Sequence, residues 1–146
     1  MLPEVQRLRI PADVARLAEM RSLIRGAAQD RGAPSDVVDD LVQAVDEAAT
    51  NTIIHGYAGR PGWVEVTLAL VGRDIKVTLE DAAPAFDPTT RPEPDMSVNA
   101  LVRGPGGMGI HLMRLATDRL DYRARDGGGN VLTLTRSLDP RAEEDG

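Results

Sequence analysis

Glu47, Asn51 and His55 stand four residues apart in the run EAATNTIIHGY. In a helix of 3.6 residues per turn that spacing lines a carboxylate, an amide and an imidazole along one edge. A Glu and an Asn one turn apart suit magnesium–nucleotide chemistry. The amide oxygen coordinates a hard cation, and the carboxylate orients or deprotonates an attacking hydroxyl. A solvated helix face also carries polar residues at this spacing, so the pattern needs support from elsewhere in the chain. His55, at the helix end, reads as a packing or capping residue rather than a catalyst.

Two further segments supply that support. EDAAPAFDP puts Asp81 at the end of a predicted strand. A buried carboxylate there accepts a hydrogen bond from an exocyclic amino group, which selects adenine, whereas the carbonyl oxygen of guanine would repel it. The alternative is an Asp that opens a turn. GPGGMGIHL contains G-x-G-x-x-G at Gly104, Gly106 and Gly109. It follows a proline-rich loop instead of a strand, and Ile110 and His111 stand where a Walker loop needs Lys and Ser/Thr, so neither motif applies. What remains is a glycine-rich helix entry whose backbone N–H groups and dipole can hold phosphates without a Lys, or else a flexible linker.

The element that must carry Glu47 and Asn51 is the strongest helix in the chain. Ser35 is its candidate N-cap, Asp36 and Asp39 lie in the first turn, and Val38, Leu41, Val42, Val45, Ala49 and Thr52 recur at three- and four-residue steps. On a helical wheel Glu47 and Asn51 fall nearly opposite that apolar set, beside Ala44 and Ala48, which leave room for a ligand. Residues 5–10 read as a strand and 12–28 as a helix. After YAGRPG, residues 63–71 and 74–80 alternate apolar and polar residues around Gly72 and Arg73, the pattern of a hairpin. From 81 to 107 the pattern fails: prolines from 84 to 105 with several glycines disfavour regular structure, as in a functional or mobile loop such as a lid. Residues 109–120 resume helical spacing, 121–138 form a closing hairpin with a glycine-rich turn, and DPRAEEDG is a frayed tail. The order β, α, α, β, β, loop, α, β, β indicates an α+β fold, with helices on one face of a mixed, mostly antiparallel sheet.

Composition narrows the classes. A chain of 146 residues suits one domain, and with 3% aromatic residues the core must be built from Leu, Val, Ile, Ala and Met. The net charge of −6 without a Lys/Arg run argues against direct nucleic-acid binding. The absence of Cys, with only two His, excludes thiolate sites and disfavours zinc. No apolar run approaches the ~20 residues that span a bilayer, so no membrane association and a cytoplasmic location are expected.

Glu-x-x-x-Asn on a helix, an Asp at a strand end and a glycine-rich helix entry, in that order, resemble the GHKL ATPase superfamily. AVDEAATNTIIHGY, DAAPAFDP and GGMGIHL are similar to the anti-sigma factor serine/threonine kinases, over residues 5–137. The resemblance implies a two-layer α/β sandwich of the histidine-kinase-like ATPase type at 1–138, with an ATP lid at 87–105 and a flexible tail at 139–146. It implies ATP and Mg as cofactors, Glu47 as catalytic residue, Asn51 as Mg ligand and Asp81 as adenine reader. It further implies nucleotide binding by Ala83, Phe86, Arg103, Gly106, Gly107, Met108, Gly109 and Asn130. The chain departs from the family at Ala83, where Gly is usual, at Asn130, where Thr is frequent, and at Pro105, which leaves Arg103 as the nearest basic residue. The implied activity is phosphorylation of an anti-sigma factor antagonist and sequestration of a sigma factor by a homodimer. The alternative is an anti-sigma or partner-binding module that retains the fold with weak or no nucleotide binding and transfers nothing.

Overall fold

A computed structural model describes residues 4–90 and 107–139. Strand β1 (Val5–Pro11) leads through a 3-10 turn (Val14–Arg16) into α1 (Leu17–Asp30), followed by α2 (Ser35–Asn51) and a six-residue π-helical extension (Thr52–Tyr57). Then come β2 (Trp63–Val71), β3 (Asp74–Asp81), a short 3-10 turn (Pro88–Thr90), α3 (Gly107–Ala116), β4 (Arg119–Ala124) and β5 (Asn130–Ser137). The strands form one sheet in the order β1-β2-β3-β5-β4. Every pairing is antiparallel, so the mostly antiparallel sheet expected from the sequence contains no parallel pair among the described residues.

Alternation along the strands makes the sheet two-faced. Val64, Val66 and Leu68 of β2, Ile75, Val77 and Leu79 of β3 and Leu132 and Leu134 of β5 are buried on one side. Over them, α1 packs on β1 and β2, while α2 lies on β3 and β5. α2 also packs against α1 on one flank and α3 on the other. That enclosure widens its buried stripe beyond the sequence expectation: Val37, Ala44 and Ala48 are buried along with Val38, Leu41, Val42, Val45 and Ala49. Ala44, expected to leave room for a ligand, is instead closed off entirely.

Several boundaries differ from expectation by a residue or more, and at the following ones the local reason is plain. Asp13 accepts a hydrogen bond from the Ala15 N–H and caps a 3-10 turn, so α1 proper starts at Leu17. Ser35 is the first residue of α2 rather than its cap; Pro34, extended at φ −61° and ψ 157°, takes the cap position with no side-chain bond. α3 stops at Ala116: the Thr117 hydroxyl donates back to Met113 O at 2.7 Å and Asp118 N donates to Thr135 O, which draws Arg119 and Leu120 into β4.

A cation is buried on the helix-covered side of the sheet. Arg136 of β5 is only 4% exposed and its Nη2 lies 2.9 Å from Asp40 of α2, with Asp118 3.7 Å from Nη1. It ties the sheet to the helix that carries Glu47 and Asn51. Among the described residues no helix is long and apolar enough to cross a membrane.

Candidate functional site

The antiparallel register of β3 and β5 sets Asp81, the last residue of one strand, directly opposite Asn130, the first of the other. Period-2 alternation turns both toward the helices, where Asp81 is 3% exposed. Asp81 Oδ1 accepts two bonds, from Asn130 Nδ2 at 2.9 Å and Ala83 N at 2.9 Å. Oδ2 accepts a single long bond from the Thr52 hydroxyl at 3.4 Å. A carboxylate has about four acceptor positions, so Oδ2 keeps the spare capacity. Burial pushes the Asp81 carboxyl above its ordinary range, and the donors from Asn130, Ala83 and Thr52, with the field of Arg125, pull the other way.

Beyond Asp81 the chain runs as a strap, residues 82–86, pinned at both ends. The buried Tyr57 hydroxyl accepts from Ala82 N at 2.8 Å and donates to Trp63 O at 2.6 Å. At the far end Asn130 Oδ1 accepts from Phe86 N at 2.8 Å and from the Tyr122 hydroxyl at 2.7 Å. The strap passes so close to β5 that only glycine fits at 129. Its φ is +124°, and a Cβ there would lie 2.0 Å from Asp81 O.

Ala83, where the resemblance leads one to expect Gly, is accommodated. Among the described non-glycine residues only Ala58 has a positive φ, so Ala83 requires no left-handed backbone. Its methyl is buried toward Gly56, whose missing side chain leaves the space: a Cβ at 56 would come within 3.0 Å of the Ala83 Cβ.

Between strap, helices and sheet lies a cleft of about 500 Å³. Asn51, Asp81, Ala83, Phe86 and Asn130 all line it, so five of the residues singled out from the sequence meet at one place. Its floor and walls are apolar, from Leu79, Leu132, Ile110 and Met113. A largely apolar cleft with a few convergent polar groups has the character of a small-molecule site. Gly107, Met108 and Gly109 open α3, and Ile110 just after them reaches the cleft. Glu47 is half-buried one turn before Asn51 and is not part of the lining. Arg103, Gly106 and all of the lid after Thr90 lie outside the described residues, as does the tail beyond Asp139.

Sequence reasoning missed several lining residues: Thr52, Arg60, Ile110, Met113 and Tyr122. The helix turns π-helical from Thr52 to Tyr57. A wider turn offsets the side chains relative to an α-helix, and such turns recur at functional sites. Thr52, expected in the core, reaches Asp81, and His55, expected to pack or cap, is exposed and lines the cleft on the edge it shares with Asn51. Arg60 closes the turn by donating to Tyr57 O and Gly56 O at 3.0 and 3.2 Å. Tyr122 was available as a signal: it is an inward position on β4, two residues from Ala124, the partner of Asn130.

No group of three or more acidic or imidazole side chains that could hold a metal occurs among the described residues. Asn51, half-buried at the cleft, offers one amide oxygen. Magnesium fits such a donor set, because it takes one or two protein ligands and completes its shell with phosphate oxygens and water.

Residues 10–136 match the family model described as histidine kinase-like ATPase domain. The serine/threonine-protein kinase BtrW of Bordetella bronchiseptica is 34% identical over 103 residues, 70% of this chain and 72% of that protein. The serine-protein kinase RsbW of Bacillus subtilis is 26% identical over 138 residues, covering 90% and 84%. The anti-sigma F factor of Thermoanaerobacter pseudethanolicus is 24% identical over 118 residues, covering 81% and 82%. Among solved structures, the RsbU and RsbW domains of Rv1364c from Mycobacterium tuberculosis align with 93% of this chain at a TM-score of 0.66 and 18% identity, which speaks for the fold. This chain spans about a third of that longer one, 32%.

Proposed function

Given that the chain belongs to the histidine kinase-like ATPase domain family, in the branch of the anti-sigma factor serine/threonine kinases, we propose that it transfers the γ-phosphoryl group of ATP to a serine or threonine of an anti-sigma factor antagonist. We further infer that it sequesters a sigma factor when that antagonist is absent, and that it works as a homodimer. The observation that carries the nucleotide reading is the buried Asp81 carboxylate with one under-used oxygen at the end of an apolar cleft.

ATP supplies the transferable group, and magnesium neutralises charge on its oxygens. The protein's own part is positioning. Asp81 Oδ2 accepts the amino N–H of adenine, and Leu79, Ile110, Met113 and Leu132 provide the apolar walls against which a planar base is desolvated. Asn51 holds the cation through its amide oxygen. The backbone N–H groups at the start of α3, Gly107 to Gly109, together with Gly106, hold phosphate oxygens, which resolves how a protein of net charge −6 binds an anion. Glu47 takes the proton of the attacking serine or threonine hydroxyl as the hydroxyl oxygen bonds to the γ-phosphorus and the bond from that phosphorus to the β–γ bridging oxygen breaks, releasing ADP.

The position of Glu47 outside the cleft lining favours a second reading, a partner-binding module that binds nucleotide and transfers nothing. Two measurements separate the readings. Thermal unfolding with Mg-ATP should show stabilisation, about 2.7 kcal/mol at ~100 times Kd, and Mg-GTP should show little. Phosphotransfer to the antagonist should fall by about 100-fold or more in Glu47→Ala while the ATP-induced stabilisation persists. No stabilisation at millimolar ATP would overturn the nucleotide reading, and wild-type protein that binds ATP without transfer would establish the module.

A further inference from the structure

Asn130 has spent all of its hydrogen-bonding capacity inside the protein. A primary amide has two N–H donors and two lone pairs on oxygen. Its Nδ2 faces Asp81 Oδ1 at 2.9 Å, Pro84 O at 3.2 Å and Ala83 O at 3.4 Å. Its Oδ1 receives the Phe86 N–H at 2.8 Å and the Tyr122 hydroxyl at 2.7 Å. A ligand could bond to this amide only by displacing one of these partners.

We propose that Asn130 is a positioning residue, not a nucleotide contact: with Tyr122 behind it, it latches the 83–86 strap onto β5 and occupies Asp81 Oδ1, so that Oδ2 alone meets the base and adenine is chosen over guanine. The inference rests on the nucleotide reading above and assigns the selectivity of that site to the Asn130–Tyr122 pair. Three features of the geometry support it. The two donors on Oδ1 come from different elements, Asn130 on β5 and Ala83 in the strap, so together they fix the rotation of the carboxylate. Asn130 bonds three strap residues, Ala83, Pro84 and Phe86, and a side chain one bond shorter could not reach them along with Asp81. Tyr122 is oriented by β4 and takes one of the two lone pairs of Asn130 Oδ1, which leaves Nδ2 turned toward Asp81.

The test is titration of Mg-ADP and Mg-GDP into wild type, Asn130→Ala, Tyr122→Phe and Asp81→Asn, each between pH 5.5 and 8.5. Without the latch the carboxylate is free to rotate and its bond to the amino group of adenine is no longer held in place, so ADP should weaken about tenfold or more in Asn130→Ala with GDP little changed, and the ADP/GDP preference collapses. Tyr122→Phe should shift the preference the same way by a smaller factor. A second readout distinguishes positioning from mere support. Without the Asn130 donor, the Asp81 carboxyl rises further. The decline of ADP affinity on acidification should therefore begin at higher pH than in wild type. Arg125 from the β4–β5 turn, Tyr122 from β4, Asp87 after the strap and His55 and Arg60 beyond α2 surround the site in both proteins, so the difference between them isolates Asp81. Equal weakening of ADP and GDP with an unmoved pH profile would overturn the proposal, as would unchanged affinity in both latch variants. If Asn130→Ala fails to fold, Tyr122→Phe decides by the same criteria. If Asp81→Asn also leaves ADP affinity unchanged, Asp81 is not the adenine reader and the proposal falls with it; if wild type binds neither nucleotide, the nucleotide reading itself falls, which is a distinct outcome.

Discussion

Exchanging Asp81 for Asn keeps the shape of the side chain and removes its charge, and the surroundings dictate how the new amide must sit. Asn130 Nδ2 and Ala83 N both donate, at 2.9 Å, to the same oxygen position, so the amide oxygen has to occupy it. The new NH₂ then takes the place of Oδ2, beside the Thr52 hydroxyl at 3.4 Å. There it confronts the amino group of adenine with a second donor. A hydrogen bond to a charged group is worth about 1.5–3 kcal/mol, so Mg-ADP affinity should fall about 10- to 150-fold, while the carbonyl of guanine becomes an acceptable partner. Stability should move the other way. Burial raises the Asp81 carboxyl, so the stability that its protonated form contributes at low pH is lost as pH rises through that raised value. Asn bears no such loss. Asp81→Asn should therefore be at least as resistant to urea as wild type at pH 7, with the gap closing toward pH ~4, near the ordinary carboxylate value. Calorimetric titration and urea unfolding across pH read both effects. ADP affinity within twofold of wild type, or a variant less stable at pH 7, would refute the reasoning and make Asp81 a structural residue.

Two further perturbations follow from the contacts around the site. Tyr57→Phe removes the hydroxyl that serves Trp63 O and Ala82 N, and should cost about 1–3 kcal/mol in urea unfolding and weaken ADP as the strap loosens. At the opposite end of β5, Nε and Nη1 of the buried Arg136 have no hydrogen-bond partner, so Arg136→Met should be neutral or stabilising. Asp40→Ala strands the same guanidinium, and because Asp40 is itself one-third exposed its cost should be smaller than for a fully buried pair, about 1–3 kcal/mol by thermal unfolding.

The alternation in β2 and β3 and the three- and four-residue steps of α2 made those elements legible, because each pattern reflects burial of one face and needs only local periodicity. The same wheel misjudged Ala44, since periodicity reports one buried face and α2 is covered by α1, α3 and the sheet together. The helix also does not end where α-helical spacing stops being useful. The change to a π-helical turn at Thr52 has no composition signal, although His55 still lines the cleft with Asn51, on the edge that four-residue spacing gave it.

The sequence by itself determined the element order, the family and the chemical types at Glu47, Asn51 and Asp81, because these depend on residue identity and on neighbours a few positions away. What only the tertiary structure decided is how a carboxylate at 81 and an amide at 130 share one bond, how the Ala83 methyl finds room beside Gly56, and which oxygen of Asp81 is left over. These are matters of register between strands 49 positions apart and of hydrogen-bond capacity counted over the whole pocket. Neither leaves a trace in local periodicity, because the pairing of β3 with β5 is set by burial of the whole sheet face rather than by the residues that meet there.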